Sequence, residues 1–165
     1  MHDVLLGVAL VGATITTGLT AGVFALYAHT IMPGLRKVDD RTFIRSFQAI
    51  DRAIINPWFM AGGFVGALVL TLAATVLSLR EDPLPWLGVA LVLYAFTFVA
   101  TIAVNVPLND ALKAVDPDGD VDLAAVRREF GEARWAAWNL ARTVASTGAF
   151  ACLAWALVVF GGATG

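Results

Sequence analysis

The sequence predicts an all-α fold: a four-helix transmembrane bundle, with an amphipathic interfacial helix between helices 1 and 2 and a long fourth helix extending into the cytoplasm. Three observations carry this. Of 165 residues, 59% are hydrophobic and 15% charged, where a soluble domain of this size has about 25% charged residues. Four apolar runs, at residues 4–32, 57–79, 84–104 and 141–160, meet the roughly 20 residues needed to cross a bilayer. Finally, the Lys and Arg residues are distributed asymmetrically. Arg36, Lys37, Arg41, Arg45, Arg52, Lys113, Arg127, Arg128, Arg134 and Arg142 share one side of a four-span topology, and only Arg80 lies on the other. The positive-inside rule then puts both termini outside and the basic side in the cytoplasm. The expected location is a plasma membrane, the inner membrane of a bacterium, with residues 1–165 as a single integral membrane domain. Acids interleave with the basic residues, so no nucleic-acid partner is expected.

The first run carries Thr14, Gly18, Gly22, Ala25 and His29 at i, i+4, i+8, i+11 and i+15. Small residues let helices approach closely in a membrane. This stripe therefore predicts a helix–helix contact, with His29 facing the bundle at the cytoplasmic end. Met1-His2-Asp3 has no basic region, and the run that follows is too long for a cleaved leader, so none is expected. Pro33-Gly34 predicts the helix end. Asp39 or Asp40 then caps a short helix, with Phe43, Phe47, Ile50 and Ile54 on one face and Arg41, Arg45, Gln48 and Arg52 on the other. It lies on the membrane surface or packs under the bundle. Asn56 and Pro57 open the second span as cap and first turn. Gly62 and Gly66 give it a close-packing face.

Arg80 to Pro85 forms an external turn, and Trp86 begins the third span at the interface. Tyr94, Phe96 and Phe98 read as packing or lipid contacts. The segment from Asp116 to Asp120 is a turn. It alternates acids like a calcium loop, but Pro117 and the lack of a glutamate at the twelfth position argue for a plain loop with a helix cap. The last helix then runs without a break, on the order of 39 residues and ~58 Å at ~1.5 Å per residue.

Two polar faces stand out where apolar runs turn polar. Asn105 and Asn109 lie four residues apart, so both point to one side of a helix. Thr97 and Thr101 extend that side backward. Pro107 between the asparagines lacks an N–H and frees a carbonyl one turn earlier. In the last helix Trp135, Trp138, Asn139 and Arg142 fall at i, i+3, i+4 and i+7. Amides, indoles and a guanidinium at a membrane edge are costly unless they meet one another. The expectation is one pocket at the cytoplasmic end, built from His29, Asn105, Asn109, Trp138, Asn139 and Arg142, with Trp135 as a flat wall and Asn56 at the edge. Arg142 would find acceptors in the asparagine carbonyls, in Asp110 or in carbonyls freed by Pro107.

These residues carry a resemblance. The segments Ala21-Gly22-Val23-Phe24, Met32-Pro33, Gln48-Ala49-Ile50, Asn56-Pro57-Trp58-Phe59 and Asn105-Val106-Pro107-Leu108-Asn109, and Trp138-Asn139 followed by Arg142-Thr143, resemble the anthrone oxygenase-like family of small four-helix membrane proteins. The resemblance covers nearly the whole chain and implies an oxygenase that turns an anthrone into an anthraquinone with dioxygen, with no obvious cofactor.

The residues themselves leave three readings open. In the first, an intramembrane oxygenase acts on an activated phenol, anthrone or quinol arriving from lipid. His29 is then the base. Asn105, Asn109, Asn139 and Arg142 hold the enolate, while Trp135 and Trp138 hold the ring. In the second, the same residues form a structural lock or a non-enzymatic ligand site. In the third, His29 holds a haem, or the protein carries a quinone. No phosphate loop, Cys-x-x-Cys or metal-binding histidine pair is present, and no metal is expected. The lone Cys152 reads as a packing residue. The expected partners are the lipid bilayer and a small apolar aromatic ligand, with a homo-oligomer as the candidate assembly.

Overall fold

The computed structural model describes residues 1–164. Among them every regular element is helical. Four helical segments, His2–Leu35, Trp58–Leu77, Leu84–Lys113 and Leu123–Gly162, are long and apolar enough to cross a membrane. We number the helices α1 (His2–Leu35), α2 (Asp40–Ile54), α3 (Trp58–Leu77), α4 (Leu84–Lys113), α5 (Leu123–Phe130) and α6 (Glu132–Thr164).

The expected unbroken last helix is two helices. Gly131 stands between α5 and α6 in the left-handed region, at φ 66°. Only glycine takes that conformation without a Cβ penalty, and a helix followed by such a glycine stops there. The 33 residues of α6 still make ~50 Å, which exceeds a bilayer core of ~30 Å. Gly131 lets α5 fold back over the end of the bundle. There Phe130 packs on Phe43 and Phe47 of α2, at ring-centroid distances of 5.7 and 4.9 Å.

The amphipathic α2 starts where Asp39 accepts hydrogen bonds from the N–H and hydroxyl of Thr42, which hold its carboxyl below the ordinary value. Its buried face carries Phe43, Ile44, Phe47, Gln48 and Asp51. This face packs under the bundle against Tyr27, Met32, Leu112 and Trp135. Gln48 donates to the carbonyls of Leu112 and Val115 (2.9 and 2.8 Å), capping the end of α4. Arg41 and Arg45, on the outer face, both grip Asp118 in the turn beyond α4.

The opposite end is packed mainly through alanines. Ala9, Ala13, Ala67, Ala74, Ala90, Ala149 and Ala156 join Leu6, Leu10, Leu87, Tyr94 and Leu153 in one buried cluster. Lipid offers no hydrophobic drive between helices, so close backbone approach does this work. Along α1 the inward face is Ala13, Thr17, Thr20, Phe24 and Tyr27, not the whole small-residue stripe. Gly18 does contact another helix, since a Cβ there would sit 2.9 Å from the Phe150 ring, but around Gly22 there is open space. Gly18→Leu is therefore expected to lower the melting temperature of the detergent-solubilised protein, and Gly22→Leu to leave it unchanged. Equal melting shifts in the two variants would contradict this packing.

Three spans contain widened π-helical turns, at Tyr27–Ile31, Trp58–Val65 and Thr101–Asn105. Each has a proline beside it: Pro33, Pro57 and Pro107. Pro33 and Pro107 lie inside their helices, where a proline removes one N–H and crowds a carbonyl one turn earlier, and the widened turn before each relieves that conflict; Pro57 stands at the start of α3, where no such bond is lost. Because the first conflict is relieved in this way, α1 runs through Pro33 to Leu35 instead of ending there. All three turns lie toward the α2 end, and they shape the site.

Candidate functional site

Site geometry follows from those turns and from the polar faces of α4 and α6. Asn105, 1% exposed, donates from Nδ2 to the Trp135 carbonyl at 3.4 Å. Asn109 uses both ends of its amide. Its Nδ2 donates to Asp51 Oδ1 at 2.6 Å, and its Oδ1 accepts from the Trp135 indole at 2.7 Å. This pattern fixes which end of the amide is which. Asp51 also pairs with Lys113, whose Nζ lies 2.9 Å from Asp51 and 2.9 Å from Asp110. In α6, Arg142 donates from Nη2 to Asn139 Oδ1 at 2.9 Å and from Nη1 to the Thr101 hydroxyl at 3.1 Å. Its guanidinium sits 4.4 Å over the Phe24 ring. Asn139 in turn donates to the Phe24 carbonyl at 3.0 Å, beside the widened turn of α1.

Of these groups Asp51, Thr101, Asn109, Asp110, Lys113, Trp135 and Arg142 line a cavity of about 410 Å³, within the size range of small-molecule sites. Aromatic rings complete the lining: Phe24, Phe59, Phe64 and Phe98. Phe64 stacks on Phe98 with ring centroids 5.0 Å apart. The Phe64 carbonyl, in the widened turn of α3, accepts from the Tyr94 hydroxyl at 2.9 Å. Val65 of α3 and Ile102 and Val106 of α4 line the cavity and are also exposed on the outside of the bundle. The cavity thus opens between α3 and α4, along an apolar surface that ends at the exposed Ile55 and Asp110.

The structure brings together part of the set expected from sequence. Asn109, Trp135 and Arg142 line the cavity, and Asn105 and Asn139 are buried beside them through their bonds to Trp135 and Arg142. Arg142 meets Asn139 and Thr101, not Asp110. Three placements need correction. His29 does not line this cavity: it is exposed, with Nδ1 2.6 Å from the Thr30 hydroxyl. The inward face of α1 passes through Phe24 and Tyr27, and a residue two positions past Tyr27 points roughly 200° away. Trp138 stacks on Phe96, at 6.4 Å, outside the cavity. Asn56 caps α3, accepting from the Phe59 N–H at 2.9 Å and donating to the Ala53 carbonyl, so its amide is spent at the helix start.

Two cavity groups were missed, Tyr27 and the Asp51–Lys113 pair. The signal for Asp51 was present: it falls four residues after Phe47 and three after Gln48, on the buried face of α2. Tyr27 continues the Thr17, Thr20, Phe24 face, which the glycine stripe on the neighbouring face masks in the sequence. Among the described residues no three His, Cys, Asp or Glu side chains converge as metal ligands would.

The bundle and its cavity define a small four-span helical protein with polar groups and aromatic rings around a pocket that opens along an apolar surface. Residues 55–152 match the anthrone oxygenase family, and the chain belongs to it. The matched stretch carries Asn105, Asn109, Trp135, Asn139 and Arg142; Phe24, Tyr27 and Asp51 come from the segment before it. Neither the curated proteins nor the solved structures include a match to this chain.

Proposed function

We propose that the protein is an intramembrane oxygenase acting on an apolar activated aromatic, an anthrone, phenol or quinol, with dioxygen. The observation that carries this reading is the cavity itself, whose lining joins four phenylalanine rings to a carboxylate and a guanidinium. For an anthrone the balance is simple. The ring CH₂ loses one proton to a base, and the resulting enolate forms a C–O bond with dioxygen. The O–O bond of the peroxide then breaks as the second hydrogen leaves, giving a ketone and one water. Asp51, held by Asn109 and Lys113 at the cavity wall, is the base in this reading, in place of His29. Arg142 stabilises the negative charge as it develops on the ring oxygen. Oxygen uptake with anthrone by the protein in nanodiscs tests the reading; uptake no faster than in empty nanodiscs would overturn it.

In the same reading the protein sits in a plasma membrane with both termini outside, and α2 and α5 in the cytoplasm, because ten of the eleven Lys and Arg residues lie on that side. A membrane-impermeant thiol reagent added outside should label Asp82→Cys and spare Asp120→Cys, both in a Cys152→Ala background. The reverse pattern would invert the orientation.

A further inference from the structure

On the polar wall the Tyr27 hydroxyl is left without a partner by the chain, as are the buried Arg142 Nε and Asn105 Oδ1. Tyr27 is 7% exposed, and it lines the cavity. Its ring is held by Trp135, with centroids 5.6 Å apart. Its hydroxyl makes no hydrogen bond among the described residues, whereas the other buried tyrosine, Tyr94, donates to the Phe64 carbonyl. The hydroxyl oxygen is open to the cavity, so its hydrogen bond is left for whatever the cavity holds. Tyr27 also lies within electrostatic reach of both Asp51 and Arg142. Around it Asn109 is engaged with Asp51 and Trp135, and Asn139 with Phe24 and Arg142; Arg142 bonds Asn139 and Thr101 through its two Nη atoms and keeps a buried Nε–H free on the same wall.

We propose that the Tyr27 hydroxyl is the anchor of the cavity, donating a hydrogen bond to the oxygen of a bound planar aromatic ketone. The ligand rings lie along Phe24, Phe59 and Phe98, and the oxygen points to the polar wall. This inference rests on the reading of the cavity as the substrate site and adds the residue that orients the substrate. A ketone oxygen accepts from a neutral phenol at no charge-burial cost. When the ring carbon loses its proton, that oxygen gains negative charge, and the same hydrogen bond strengthens with the Arg142 cation nearby. The hydroxyl thus discriminates between an oxygenated aromatic and the bare hydrocarbon of the same shape, because only the former satisfies the buried donor.

The test is binding, scored apart from turnover. Anthraquinone and anthracene are titrated into nanodiscs containing the wild-type protein or Tyr27→Phe, with tryptophan fluorescence as the signal. The wild type is expected to prefer anthraquinone by about tenfold after correction for partition into empty nanodiscs. Tyr27→Phe is expected to lose that preference and to bind anthracene unchanged. As a second readout, the carbonyl stretch of bound anthraquinone should be lowered in the wild type and return to its position in lipid in Tyr27→Phe. No preference in the wild type, a preference retained in Tyr27→Phe, or an unshifted carbonyl band would each overturn the anchor. If the anchor holds but anthrone drives no oxygen uptake, the oxygenase reading falls and the ligand site stands. If uptake occurs while Tyr27→Phe keeps the ketone preference, the reverse follows.

Discussion

Asp51→Ala is expected to destabilise the protein by about 2–4 kcal/mol, because it dismantles a buried ion pair from one side only. Asp51 is 6% exposed and joins α2 to α4 through Lys113 and Asn109. Its removal leaves the Asn109 amide nitrogen without its acceptor and leaves Lys113 to Asp110 alone. That second carboxylate keeps the loss below the full cost of an orphaned buried lysine. Asp51→Asn separates structure from chemistry. An asparagine retains one oxygen for the Asn109 donor but loses the carboxylate that pairs with Lys113, so it keeps only part of the stability, and it cannot take a proton. Turnover should therefore fall in Asp51→Asn far more than its melting temperature does. Parallel melting curves for Asp51→Ala and the wild type would show that α2 is not fastened to the bundle through this residue.

Arg142→Met is expected to lower turnover by about 10² to 10³ while the bundle stays folded. The two halves of this expectation have different causes. A buried guanidinium pays a large desolvation cost, and an unbranched apolar replacement of similar length removes that cost together with the bonds. Asn139 loses the donor to its Oδ1 but keeps its bond to the Phe24 carbonyl, so the α1–α6 contact persists. What disappears is the positive charge beside the aromatic wall. If Arg142 were only a lock between α4 and α6, the variant would instead melt earlier and any oxygen uptake would survive in its folded fraction.

How far the sequence predicts this site depends on which face of each helix can be read from it. On α4 and α6 the polar residues are few and isolated in apolar surroundings, so Asn105, Asn109, Asn139 and Arg142 could have only one inward direction. Their convergence follows from the cost of burying amides in a membrane. On α1 two faces competed. The glycine stripe looked like the contact face, but packing used the Thr17, Thr20, Phe24 and Tyr27 side, and His29 went out with the stripe. In α2 the acid at position 51 was legible only once the phase of Phe43 and Phe47 had been carried one turn further. The break at Gly131 could have been read as a helix stop. The widened turns are written less directly. Pro33 and Pro107 signal a conflict in the backbone ladder, but whether the chain answers with a kink, an end or a widened turn depends on the carbonyl acceptors that neighbouring helices need, such as Asn139 on Phe24.

The central claim is that this cavity brings an aromatic substrate and dioxygen together. The most direct measurement is the fate of the oxygen atoms when the wild-type protein in nanodiscs turns over anthrone under ¹⁸O₂. The account predicts an anthraquinone carrying one ¹⁸O atom, formed faster than in empty nanodiscs and slowed by Arg142→Met. Product formed at the rate of empty nanodiscs, or at equal rates in the wild type and Arg142→Met, would contradict it.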